Sequence, residues 1–192
     1  VAPTAVAQPL VQPPLVQPGR APTVPADLNT LLSGFERAMR QRVPRGIAFR
    51  LSLLPDLWRC RAEPPTVRAL VLDLVAAAGD DLKGGGELVV GTRNYAFDAA
   101  ALADTPGAQL GEYVRVTVRD SGPGLSEAAL DRVFDPATTP RRAAARAAGA
   151  LHALGGFARV ESAEGIGTAV HLYFPRAADP ATSAVSAGKS AA

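Results

Sequence analysis

The chain has 192 residues, 47% of them apolar, and a formal net charge of +2. This length suits one domain with its own core plus tails, and the composition is that of a globular protein. So small a charge excludes an electrostatic case for nucleic acid or an anionic membrane, no apolar run reaches the length of a transmembrane helix, and the single cysteine, Cys60, excludes an internal disulfide.

Residues 1–25, VAPTAVAQPLVQPPLVQPGRAPTVP, hold seven of the 17 prolines and one charge. Repeated proline favours extended backbone, so this stretch is expected to be a semi-rigid linker, with a docking peptide for a proline-binding partner as its functional alternative. The start at Val1 shows no signal-peptide pattern and suggests a piece of a longer product, and a cytoplasmic location is expected. The folded part is expected over 26–176, with a loose tail at 177–192. Leu28, Leu31, Leu32, Phe35 and Met39 recur at helical spacing behind Asp27, a suitable N-cap. Ile47, Phe49, Leu51 and Leu53 alternate with Ala48, Arg50 and Ser52, which predicts a half-buried strand. A helix from near Pro65 to Leu82 follows, and glycines 84–86 end it. ELVVGTRNYAF and EYVRVTVRD read as two strands joined by an Ala-rich loop, 98–111. Ser126 is expected to cap a short helix through Val133. Another helix is expected from Arg142 to Leu154, stopping at Gly155 and Gly156. FARVESAEGIGTAVHLYFP reads as a hairpin around 164–167. The fold class is α+β, a two-layer sandwich with a mixed, mainly antiparallel sheet and helices on one face.

Two groups of residues carry the chemistry. Asp120 shares its strand face with Val114, Val116 and Val118, so its carboxylate is expected on the covered, helix side, where it can accept from an exocyclic amine. Gly122 and Gly124 permit a tight turn with no side chain between backbone and ligand. A strand-end turn with a capping Asp is the plainer alternative. On the preceding helix, Asp73, Ala77 and Asp80 lie at i, i+4 and i+7 and form a stripe beside the apolar one. Carboxylates there border the cavity or form a solvated acidic face. No metal-type cluster of Cys and His is present in the sequence.

This order of segments resembles the catalytic and ATP-binding domain of sensor histidine kinases, within the GHKL ATPase group that includes gyrase and MutL. The resemblance covers residues 27–176. PPTVRALVLDLVAAAGDDLKGGGELVVGT is similar to the N box and its following strand. VRDSGPGLSEAALDRVFDP is similar to the G1 and F boxes. GGFARVESAEGIGTAVHLYFPR is similar to the closing hairpin, and the long loop before EYVRVTV resembles the hybrid kinases of phosphorelays. The resemblance implies a Bergerat-type pocket between sheet and helices, with Asp120 reading adenine and Thr168 supporting it.

Departures from the family pattern bear on function. The two N-box asparagines fall on Asp73 and Ala77, and the second is the usual Mg²⁺ ligand. A methyl group has no oxygen to offer. After FDPATTP the chain runs from Pro140 straight into RRAAARAAGALHAL, without the lid and the second Gly-rich box whose helix binds phosphates. Phosphoryl transfer rests on positioning and on stabilising phosphate charge, and one lost donor costs about 10²–10³ in rate. Arg141, Arg142 and Arg146 read either as a substitute phosphate or partner contact or as an exposed basic face. His152 and His171 are taken as structural, which leaves any phospho-acceptor upstream of Val1. The expected function is a degenerate histidine-kinase catalytic domain, a pseudokinase with a vestigial nucleotide pocket, no catalytic residue and no cofactor. Its expected partners are a dimerising phosphotransfer domain or a response regulator, with no nucleic acid and no membrane contact. The alternative is an active ATP-binding domain with an atypical Mg²⁺ site.

Overall fold

The computed structural model describes residues 6–7, 25–82, 85–98, 109–135 and 142–177. Its main sheet has six strands: β1 (Val6–Ala7), β3 (Ile47–Ser52), β5 (Gly86–Phe97), β6 (Gly111–Asp120), β7 (Phe157–Ala163) and β8 (Gly167–Pro175). They stand in the order β1-β7-β8-β6-β5-β3, and only β3 and β5 run parallel. A parallel pair needs a long crossover, and here it is α3 (Pro64–Asp81), with prolines in its first turn. Helices α1 (Leu28–Gly34), α2 (Glu36–Arg42), α4 (Glu127–Leu130) and α5 (Arg142–Ala153) complete the covered side. A second, two-stranded sheet pairs β2 (Pro25–Ala26) with β4 (Cys60–Arg61). Cys60 also bridges to Arg176, which ties the start of the domain to its end. Burial pushes the Cys60 thiol up to about 12, so it is an inert packing residue.

Strand parity positions everything else. Leu88 and Val90 of β5, Val114, Val116 and Val118 of β6, and Val170, Leu172 and Phe174 of β8 all point inward and are buried. Val67, Val71 and Val75 of α3 lie fully buried against them. The opposite face carries a small aromatic cluster of Phe97, Tyr113, Phe157 and Tyr173, with the last two rings stacked 4.4 Å apart.

Three expectations need correction or placement. The first helix is two, broken at Phe35 directly after Gly34, the poorest helix former of that run; Leu28, Leu32, Phe35 and Met39 are buried on both sides of the break. The helix after Ser126 ends at Leu130 rather than Val133, giving way to i→i+3 turns, and Ser126 sits at the N-cap without a side-chain capping bond. Within the expected linker, Val6–Ala7 form an edge strand against Glu161 and Ser162. The rest of 1–24, the loop 99–108, the lid region 136–141 and the tail beyond Ala177 lie outside the described residues.

Asp27 caps α1 as the sequence predicts. Its Oδ1 accepts from the backbone N–H groups of Asn29 at 2.9 Å and Thr30 at 3.1 Å. Those bonds, Thr30 first, hold its carboxyl below the ordinary carboxylate range. A depressed folded pKa adds stability that is complete above the unfolded pKa and fades as pH falls through the folded one. Asp27→Ala is therefore expected to cost about 1 kcal/mol at neutral pH. Urea unfolding should show the gap from the parent narrowing as pH drops below about 4. A gap independent of pH would contradict this role.

Candidate functional site

Asp120 ends β6 on the inward face, as parity predicts, and is only 3% exposed. Its Oδ1 accepts from the N–H of Gly122 at 2.9 Å and of Thr168 at 3.3 Å. Asp120 and Thr168 are direct cross-strand partners, so antiparallel pairing of β6 with β8 joins two candidates 48 positions apart. Ser162 of β7, which the sequence reading missed, completes the cluster. Its hydroxyl donates to the Gly167 carbonyl at 2.9 Å and accepts from the Leu125 N–H at 2.9 Å. With its one proton so placed, it accepts from Thr168 Oγ1 at 2.8 Å. The signal for Ser162 is its inward parity with Val160, a polar residue at an apolar position.

The glycine turn after Asp120 lies against the β7–β8 hairpin. The Gly165 N–H donates to the Pro123 carbonyl at 2.7 Å. Gly124 has φ +71°, and a Cβ built there would run into the Ala163 carbonyl. Gly122 has a different constraint, since a Cβ would stand 2.9 Å from Asp120 Oδ1.

The other end of the candidate site is built by α3 and α5. Asp73 is part-exposed, Ala77 sits one turn further along, and Asp80 is exposed to solvent. Ala144, Ala147 and Leu151, spaced along one face of α5, are fully buried, and the helix packs on α3 as well as on β7 and β8. This packing carries Arg146 across to Asp73, with Nη1 3.1 Å from Oδ2. The Arg146 side chain is 70% exposed, so water screens the pair and it adds no more than about 1 kcal/mol. The structure thus joins Asp73, Ala77 and Arg146 and leaves Asp80 apart. Arg141 and the Arg142 side chain lie outside the described residues. Among the described residues no group of three or more His, Cys, Asp or Glu converges as a metal site. His152 is exposed on α5, whereas His171 is buried on the opposite sheet face, its Nδ1 2.9 Å from Thr117 Oγ1.

Comparison with known proteins agrees with this architecture. Residues 62–178 match the family described as histidine kinase-, DNA gyrase B-, and HSP90-like ATPase. Over 160 residues the chain is 28% identical to the sensor kinase CckA of Brucella abortus (strain 2308), an overlap of 78% of this chain and 17% of that protein. The chain therefore spans well under a quarter of the length of this curated relative. Among solved structures it is similar to the mycobacterial sensor histidine kinase MprB, at 21% identity and TM-score 0.59 over 80% of this chain and 97% of that one. It is also similar to full-length ShkA in complex with AMPPNP, at 23% identity and TM-score 0.63 over 83% and 32% of the two chains. ThkA in complex with the response regulator TrrA follows at 18% identity and TM-score 0.55, over 78% and 39%. At these identities the structural likeness is one of fold. No described helix is long and apolar enough to cross a membrane.

Two glycines separate backbone constraint from mere composition. Gly124→Ala is expected to destabilise the chain by about 2 kcal/mol or more, because both φ and the Ala163 contact oppose it. Gly149→Ala, exposed mid-helix with nothing within 4 Å, is expected to stabilise by about 0.5–1 kcal/mol. Guanidinium unfolding of both variants tests the contrast, and equal effects would refute it.

Proposed function

Because the chain belongs to the histidine kinase-, DNA gyrase B-, and HSP90-like ATPase family, we propose that it is a degenerate histidine-kinase catalytic domain in two-component or phosphorelay signalling. In this reading it retains the adenine-reading end of the family pocket and lacks the donors that a metal–triphosphate needs. The observation that carries it is the α3–α5 contact. Ala77 stands where the resemblance expects the metal-binding amide, and Asp73, one turn before it on that stripe, is engaged by Arg146.

The two ends of the pocket differ in how well they fit ATP with Mg²⁺. Asp120, held by two backbone N–H groups and supported by Thr168, suits an adenine amine. A hydrated Mg²⁺ requires oxygen ligands, and the methyl of Ala77 provides none. Asp73 adds negative charge where triphosphate charge would gather, and Arg146 only neutralises it. The described residues therefore do not fit the metal–triphosphate, and no transfer step is assigned to them. Such a domain acts by docking: it holds a dimerising phosphotransfer module or a response regulator in place. The likeness to ThkA, solved with its response regulator TrrA, supports that class of partner. The exposed side of α5, with Arg146 and His152, and the paired helices α1 and α2 are the surfaces available for it.

A second reading follows from the intact Asp120 cluster, in which adenine or a metal-free nucleotide binds as a regulatory ligand. Titration calorimetry with ATP, ADP and adenosine, each with and without Mg²⁺, separates the readings. No Mg²⁺-dependent ATP binding is expected up to about 1 mM. Adenosine matching ATP in affinity would establish the regulatory reading, since phosphates then contribute nothing. Micromolar, Mg²⁺-dependent ATP binding that Asp120→Ala weakens would sink the pseudokinase reading and restore the active-kinase alternative.

A further inference from the structure

The face of the sheet turned away from the helices contains a concavity of about 860 Å³. Small residues make its floor: Gly91, Thr117 and Ala169 sit on β5, β6 and β8, with Gly91 opposite Thr117. Longer side chains surround them. Arg50 of β3, Arg93 of β5, and Arg115 and Arg119 of β6 all line it, against two carboxylates, Glu87 and Glu161. Each carboxylate is matched within the domain. Glu87 lies 2.8 Å from Arg50. Glu161 lies 3.4 Å from His171 Nε2 and 3.6 Å from Arg159, and the imidazole, ahead of the arginine charges, holds its carboxyl below the ordinary range. Arg115 also acts on Glu161, so three basic groups share that one carboxylate, and positive charge is left over across Arg93, Arg115 and Arg119.

The arrangement of that excess points to a ligand. Arg93 and Arg115 are direct cross-strand partners, and like charges facing each other on antiparallel strands destabilise the sheet. Arg115 lies 5.4 Å from the Tyr95 ring centroid, which fixes its plane, yet its Nε is buried without a hydrogen-bond acceptor. A buried donor left unmatched is costly and uncommon. An anion seated between Arg93 and Arg115 would relieve the facing like charges, and guanidinium forks match phosphate oxygens in pairs. The volume falls within the range of small-molecule sites, roughly 300–1,000 Å³. The rim is apolar on two sides, with Leu54 and Pro55 on one and the half-exposed Ile166 on the other, which suits the organic part of such a molecule. We propose that this face binds a phosphate-bearing small molecule, with Arg93, Arg115 and Arg119 as its phosphate ligands. Its arginines stand on the sheet face opposite the inward Asp120 side chain, and the concavity's lining also includes Asp120, Ser121 and Ser162.

The test uses the full chain, titrated with inorganic pyrophosphate and with ribose 5-phosphate at low ionic strength. Saturable binding of either, with a dissociation constant of about 1 mM or tighter and weakened about tenfold or more by Arg93→Gln and by Arg115→Gln, supports the site. Added salt should weaken it as well. Arg93→Gln removes one of two facing like charges, so its thermal stability without ligand should equal or exceed the parent's. Arg119→Gln, at an exposed position, gives a second variant whose fold is not at risk. Failure to saturate with either probe at about 10 mM, or affinity untouched by all three substitutions, overturns the proposal. So does arginine-dependent binding of a decaglutamate peptide when both phosphates fail, because the face would then serve an acidic protein.

Discussion

A buried carboxylate governs the architecture of this domain. Asp120 is almost wholly removed from water, and a charge so placed persists only if strong donors meet it. The donors are backbone N–H groups of two different elements, Gly122 in the turn after β6 and Thr168 near the start of β8. β6 lies between β5 and β8, and a slip of one residue in its register would send Asp120 to the opposite face and turn the valines of β6 outward. Sheet register and pocket chemistry are thus one constraint. The Ser162 hydroxyl, bonded to Leu125, Gly167 and Thr168, ties the glycine turn to the hairpin beside that carboxylate, and the hairpin's Ala163 carbonyl leaves Gly124 no space for a side chain.

Much of this was legible in the sequence, for reasons that can be stated residue by residue. Period-2 alternation placed Val114 to Asp120 on one face without any knowledge of neighbours. The glycines around the closing hairpin announced a turn that non-glycine residues adopt at a cost, and Gly165 and Gly167 do have positive φ. Local signals were weaker where two competing preferences were close. Leu28, Leu32, Phe35 and Met39 keep the spacing of one continuous helix across the break at Phe35, and no side-chain capping bond marks it. Ser126 has the right residue type for a cap, but its side chain makes no such bond.

Contacts between elements were the illegible part. Arg146 reads as one more exposed arginine until the packing of α5 on α3 sets it beside Asp73. The facing pair Arg93 and Arg115 is similarly hidden. Each sits at an outward parity where arginine is ordinary, and only the register of β5 on β6 shows that they oppose one another. Their separation in sequence, 22 positions, spans a loop whose length carries no information about pairing.

The net charge of +2 conceals a segregation that these contacts expose. On the helix side, along the stripe of α3 where the family's phosphates would gather, the side chains are the carboxylates Asp73 and Asp80 and the methyl of Ala77. On the far side of the same sheet stand the arginines, gathered around a recessed floor of small residues. A concave site with an excess of one sign of charge over a low-dielectric wall concentrates its potential. On the proposed reading, a phosphate would meet the carboxylates of the α3 stripe, relieved in part by Arg146, on one side and the arginines of the open face on the other. On the reading that the α3 stripe lacks phosphate donors, the same sheet that would carry the family pocket presents its arginines on the opposite face.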